Sequence, residues 1–221
     1  DEALFAYKKL VEGGISSYTE KALTKIIQLL KNNNKEIEAI PYMEKLVEIS
    51  SFKENKKFAK LNLMQAYFIN KQYEKTIEIT EKILKLPELT ENIKSDALKL
   101  RARSFLALRD SLNAGDTYRL LEKSSQVIIA SEAIYFRAYN FHLKKAYSES
   151  NDLIAKIAES SGQAKEWTAK ALLLLAKNYY GLEDSFQAIF VLDSLIENFK
   201  ICPELVKEAQ SLIVKYQSSL K

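Results

Sequence analysis

A single cysteine, Cys202, rules out any internal disulfide and, with a single histidine, His142, leaves too few soft ligands for a structural zinc site of three or four Cys and His. Five glycines and three prolines in 221 residues are too few to punctuate a many-stranded sheet. No apolar run approaches the ~18 residues of a membrane span, and the strongest, "ALLLLA", is bounded by Lys170 and Lys177. The opening "DEALFAYKKL" starts acidic and is interrupted by charge, unlike a signal peptide. No glycine-rich phosphate loop exists: "EGGI" at Glu12–Ile15 lacks the lysine and spacing and reads as a helix-ending turn. The basic surplus is also small, 33 Lys and Arg against 29 Asp and Glu, whereas a nucleic-acid binder concentrates a larger one.

What is present is Leu, Ala, Lys, Glu and Ile in helical patterns, giving an all-α expectation. The pattern repeats. Ala39, Thr76, Ala114, Ser150 and Ala188 stand 37, 38, 36 and 38 residues apart, each followed at +4 and +7 by mostly apolar residues such as Met43 and Leu46, or Leu192 and Leu195. Twelve residues upstream runs a second track, Ile27, Met64, Ala102, Ala138 and Ala176, with Leu30, Tyr67, Phe105, Phe141 and Tyr179 three positions further on. Spacings of three and four place each set on one helical face, so each period is two helices. Turn-forming segments such as "NNNK", "NKQY", "ALRDS", "LKKAY" and "GLEDS" separate the helices of a pair; "PELTEN", "KSSQ", "ESSGQ" and "KICPE" join one pair to the next. Pro41 is acceptable if its helix begins only around Ile37 or Glu38.

A small residue, an aromatic three later, a second small residue nine after that, then apolar residues at +4 and +7: this pattern resembles the tetratricopeptide repeat. Leu172, Leu175, Ala176, Tyr179, Ala188, Leu192 and Leu195 form the best copy; Thr76 and Thr80 make another more divergent. The resemblance implies an α-α superhelix of about five helix pairs over residues 19–199 within a single domain, 1–221. A half-repeat helix at 1–13, in which Ala3, Tyr7 and Leu10 match the second-helix track, precedes the pairs. A capping helix at 203–220 follows them, with Ala209, Leu212, Ile213 and Tyr216 in first-helix positions and Lys207, Lys215 and Gln217 toward water. The periods exceed the family's usual 34. The chain also resembles the C-terminal part of long multi-repeat proteins of Bacteroidetes, which would imply a fragment of a longer bacterial protein in a periplasmic or envelope setting.

In such repeats the first helices line a concave face. The positions that the resemblance assigns to ligand contact hold Gln65 and Phe68; Lys99, Arg103 and Leu106; Tyr135, Tyr139 and His142; and Lys170, Leu173, Lys177 and Tyr180. Tyrosine and arginine are the types enriched at interfaces. The expected function is thus a non-enzymatic scaffold that binds a peptide or helix, anchored by Tyr135, Tyr139 and Tyr180 and oriented by Arg103 and Lys177. No catalytic residues, metal or cofactor are expected. The same tyrosines could instead fill the seams between helices, and the cations could be plain solvated charges. His142 reads as a surface or seam residue. Two alternatives have different surfaces: a nucleic-acid-binding repeat, against which Gln65, Arg103, Tyr139 and Lys177 form no recurring polar set, and a spacer or oligomerisation segment, including a homodimer through an open N-terminal end.

Overall fold

The computed structural model describes residues 2–16, 18–158 and 162–218. Among them are twelve helices and no strand: α1 (Glu2–Glu12), α2 (Thr19–Asn32), α3 (Glu36–Ile49), α4 (Lys53–Ile69), α5 (Tyr73–Leu84), α6 (Glu91–Ala107), α7 (Ser111–Leu121), α8 (Val127–Leu143), α9 (Tyr147–Ala158), α10 (Lys165–Gly181), α11 (Ser185–Asn198) and α12 (Pro203–Ser218). They form two compact units, Asp1–Ala114 and Gly115–Lys221, with the boundary inside α7. In the first unit α1 to α6 pack each on the next, and α4 also meets α6. In the second, α8, α10 and α12 pack in one layer, with α9 and α11 in the other.

The repeated small residues are buried between the helices. Ala39, Thr76, Ala114, Ser150 and Ala188 are each fully buried at 0 % exposure, and so are Ile27, Ala102, Ala138 and Ala176 of the second track. A residue with one to three side-chain atoms lets two helix backbones approach without a void, which is why this position stays small through five repeats. Where it is polar, the hydroxyl is used locally. Thr76 Oγ1 donates to the Gln72 carbonyl at 2.9 Å, Thr80 Oγ1 to Ile77 at 2.8 Å, and Ser150 Oγ to Ala138 across the pair at 2.8 Å.

Five turns close the helix pairs in one way. Asn34, Lys71, Arg109, Lys145 and Glu183 all have positive φ, between 55° and 64°. At each, the N–H of the next residue donates to the carbonyl of the residue three positions after the second track: Lys35 to Leu30, Gln72 to Tyr67, Asp110 to Phe105, Ala146 to Phe141 and Asp184 to Tyr179, at 2.8–3.0 Å. The positive-φ residue itself donates one carbonyl further on, for example Arg109 to Leu106 at 3.0 Å. This is the Schellman closure, which satisfies orphan helix-end carbonyls, here without glycine at the left-handed position. Asp110 and Asp184 then accept from the N–H of Asn113 (3.1 Å) and Gln187 (2.9 Å), capping α7 and α11.

Two sequence expectations need correction. The half-repeat helix α1 presents Leu4, Tyr7 and Val11 to the core, while Ala3 and Leu10 are exposed. The face is rotated from the repeat register because α1 packs on α2, its only strong neighbour among the described residues. Helix α3 begins at Glu36, so Pro41 lies inside it and leaves the Ile37 carbonyl without its helical donor. At the other end Ala209 and Tyr216 are buried, Leu212 and Ile213 half-buried, and Lys207, Lys215 and Gln217 exposed. Residues 219 and 220 of the expected cap, and 159–161 of the "ESSGQ" joint, lie outside the described residues.

Candidate interaction face

In the first unit the expected contact residues lie on α4 and α6. Gln65 is exposed, and Phe68 is half-buried with its ring edge-on to Tyr73 at 5.8 Å. Lys99 and Arg103 are half-buried, four apart on one face of α6; Lys99 Nζ is already paired with Asp96 at 2.7 Å. Leu106 is half-buried. Nearby, Tyr67 of the aromatic column donates its hydroxyl to Glu44 Oε1 at 2.6 Å, and Lys75 reaches the same oxygen at 3.1 Å. The Tyr67 hydrogen bond holds the Glu44 carboxyl below its usual value. Burial, then the adjacent carboxylate, pushes the Tyr67 phenol well up.

The second unit gathers more. Tyr135 and Tyr139, four apart on α8, stack with centroids 6.3 Å apart and planes 13° from parallel. Tyr135 also meets Trp167 of α10 at 5.5 Å, and Tyr139 meets His142 at 6.1 Å, which in turn meets Tyr147 of α9 at 5.6 Å. Five rings thus follow one another, Trp167–Tyr135–Tyr139–His142–Tyr147. Tyr139 is the most open of the set, at 41 % exposure. Lys170 Nζ stands 4.3 Å from the Trp167 ring centroid, a cation–π distance, and 2.6 Å from Glu166. Beyond these, Tyr180 of α10 stacks on Tyr216 of α12 at 3.9 Å, nearly parallel, and Lys177 pairs with Glu208 of α12 at 2.8 Å. Burial raises the Tyr135 and Tyr216 phenols to about 12, helped by Tyr139 and Tyr180 respectively and by the Glu208 carboxylate, which bears on both.

The structure therefore brings Tyr135, Tyr139, Lys170, Lys177 and Tyr180 onto the α8–α10–α12 layer. It withdraws Leu173, which is 5 % exposed and belongs to the core. His142 is half-buried and committed to a seam: its Nδ1 is 2.6 Å from Oδ1 of Asn178, a residue at 0 % exposure. Sequence reasoning missed Trp167 and Glu208, and it placed Tyr216 in the capping helix without giving it a contact role. Trp167 had a signal, since it lies three residues before Lys170, on the same side of α10. It also missed Glu132, buried at 3 % exposure, whose Oε1 accepts from the Tyr118 hydroxyl at 2.8 Å. Among the described residues no group of three His, Cys, Asp or Glu is placed to hold a metal, and no helix is long and apolar enough to cross a membrane.

No protein-family model matches the chain, and no curated protein matches it by sequence. Solved structures do. The chain superposes on the MamA protein with a TM-score of 0.64 at 14 % identity, covering 86 % of this chain and 96 % of that one. It superposes on YrrB, described as a tetratricopeptide-repeat protein with an unusual peptide-binding site, with a TM-score of 0.62 at 17 % identity, covering 93 % and 98 %. A third match, nearly identical tetratricopeptide-like repeats of a kinesin light chain homologue from Podospora anserina, has a TM-score of 0.56 at 13 % identity, covering 82 % and 95 %. The fold is an all-α superhelix of the tetratricopeptide-repeat type.

Proposed function

We propose, from this tetratricopeptide-type fold, that the chain is a non-enzymatic interaction scaffold, one repeat domain that binds a peptide or a helix on the faces of its first helices. The observation that carries the reading is the run of rings on the second unit's α8–α10–α12 layer, with Tyr139 open to solvent and Lys170 and Lys177 beside it. Tyrosine and tryptophan bury large area on binding while losing few rotamers, and a rigid stack loses fewer still. Both lysines are already balanced by Glu166 and Glu208, so a ligand carboxylate would compete with the protein's own. The partner is therefore held mainly by the rings, with the cations setting direction. In the first unit Gln65, Phe68, Lys99 and Arg103 supply the corresponding contacts. YrrB, of the same fold, is described by its peptide-binding site, which supports this reading.

The test uses the whole chain as bait in a lysate of its own organism, beside a Tyr139→Ala/Lys177→Ala variant and an Arg103→Ala variant. Proteins captured by the native chain are then titrated individually by calorimetry. Weakening of at least roughly tenfold in the Tyr139/Lys177 variant supports the assignment. Equal affinities for native and variant chains would move the contact elsewhere.

A further inference from the structure

The segment from Asn178 to Phe199 contains no Lys, Arg or His; its only charges are Glu183, Asp184, Asp193 and Glu197. Most of it is α11, whose buried face is Ala188, Val191, Leu192 and Leu195. At 3.6 residues per turn, Phe186, Phe190, Asp193 and Glu197 fall within about 60° of one another on the opposite side. The two phenylalanines are 77 % and 64 % exposed, and Leu182, in the turn before α11, is 50 % exposed. Asp193 and Glu197 are exposed, and among the described residues neither is in an ion pair. This differs from the α8–α10–α12 layer, where each lysine of the face has a carboxylate partner. Two neighbouring exposed phenylalanines on one helix form a contiguous apolar patch of the kind that marks an interaction site.

We propose that this outer face of α11 is a second docking surface, independent of the ring-lined layer, and that it takes a basic amphipathic helix from a partner protein. Phe186 and Phe190, one turn apart, form a single ridge that fits between the apolar side chains of a facing helix. The row from Phe186 to Glu197 is about 17 Å long at 1.5 Å per residue, matching three turns of such a helix. Lysines or arginines flanking its apolar seam would meet Asp193 and Glu197, which have no internal counter-charge to give up. The same carboxylates argue against the other occupants. A second copy docking through its own α11 would set Asp193 and Glu197 against themselves about a two-fold axis, and an anionic membrane surface would repel them.

The test needs no knowledge of the natural partner. Two synthetic peptides of roughly 18 residues, long enough to hold a helix, share one leucine seam; one is flanked by lysines, the other by glutamates. Binding to the full chain is followed by fluorescence anisotropy. The lysine peptide should bind at least roughly tenfold tighter than the glutamate peptide, and more weakly as salt rises. Phe186→Ser/Phe190→Ser should weaken it at least roughly tenfold. Asp193→Asn/Glu197→Gln should weaken it roughly threefold or more and flatten the salt dependence. Far-UV ellipticity and the urea midpoint of both variants should match the native chain, since all four side chains face water. Equal binding of the two peptides, or lysine-peptide binding unchanged by both variants, would overturn the proposal. So would self-association in sedimentation, or capture by vesicles of phosphatidylglycerol and phosphatidylcholine, that the phenylalanine substitutions abolish: those outcomes would assign the face to a second copy or to lipid.

Discussion

His142 Nδ1 lies 2.6 Å from Asn178 Oδ1, and the direction of that bond follows from what else Asn178 holds. Its Nδ2 donates to Ser150 Oγ at 2.8 Å and to Asn151 Oδ1 at 2.7 Å, which uses both amide hydrogens. Ser150 in turn donates to the Ala138 carbonyl. Ser150 has given its only hydrogen to Ala138 and can only accept from Asn178, so the amide nitrogen faces Ser150, Oδ1 faces His142, and His142 carries its proton on Nδ1. A fully buried asparagine thereby joins α10 to α8 and α9 and fixes one ring of the aromatic run.

Replacing that asparagine should therefore be felt both in stability and in one ring. Asn178→Ala removes three hydrogen bonds and opens a small void, a loss of about 2 kcal/mol. In a chain of this size that lowers the thermal midpoint by about 4–8 °C. Because His142 is the only histidine, its nitrogen-15 signals can be read without assignment: Nδ1–H in the native chain, released in the variant. A native ring protonated on Nε2 alone would contradict the network.

The five left-handed turn residues give a stability prediction of the opposite sign. A side chain in that conformation costs about 1–2 kcal/mol, partly offset by the greater freedom glycine loses on folding. Lys71→Gly, Arg109→Gly, Lys145→Gly and Glu183→Gly should each raise stability by roughly 0.5–1 kcal/mol, read as a higher urea midpoint. All four side chains are exposed, so little contact is lost. Asn34→Gly should gain less, since asparagine tolerates the conformation. A lowered midpoint in the first four would show that their side chains contribute more than the backbone strain takes away.

Acid should weaken the joint between α3 and α4 through one carboxylate. Glu20 of α2 accepts from Ser50 Oγ at 2.6 Å, Asn55 Nδ2 at 2.7 Å and the Ser51 N–H at 3.3 Å. The Ser50 hydrogen bond leads in holding its carboxyl below the ordinary 4.5. A group whose folded value is depressed lends stability above its unfolded value and loses it as pH falls through the folded one. The native chain should thus lose stability progressively below about pH 4.5, and Glu20→Gln should lose less over that interval. Parallel acid profiles for the two proteins would remove Glu20 from the account.

The repeat tracks were legible because stacking demands a fixed residue size where two helices touch, and Ala39, Ala114 and Ala188 announce that demand by type and interval. The pairings were not. Lys177 meets Glu208 across 31 residues, and nothing in a periodic pattern says which neighbour a charged side chain turns toward. The burial of Asn178 and Glu132 was not legible either, since only the partners supplied by α8, α9 and α7 make it tolerable. The shift in α1 has the same origin: a register inferred from helices with neighbours on both sides misplaces one that is packed chiefly on one. The tyrosines Tyr135 and Tyr139 could be placed on one face by spacing alone, but their partnership with Trp167 depended on how α10 lies against α8.

Trp167 is the chain's only tryptophan, and it sits in the second unit against Tyr135 with Lys170 over its ring. The molecule is in effect labelled on one half. Indole emission will follow the loosening of α8 and α10 alone, while far-UV ellipticity adds up all twelve helices. The gap between the two curves during denaturation is then a direct measure of how independently the halves melt, obtained without attaching any dye.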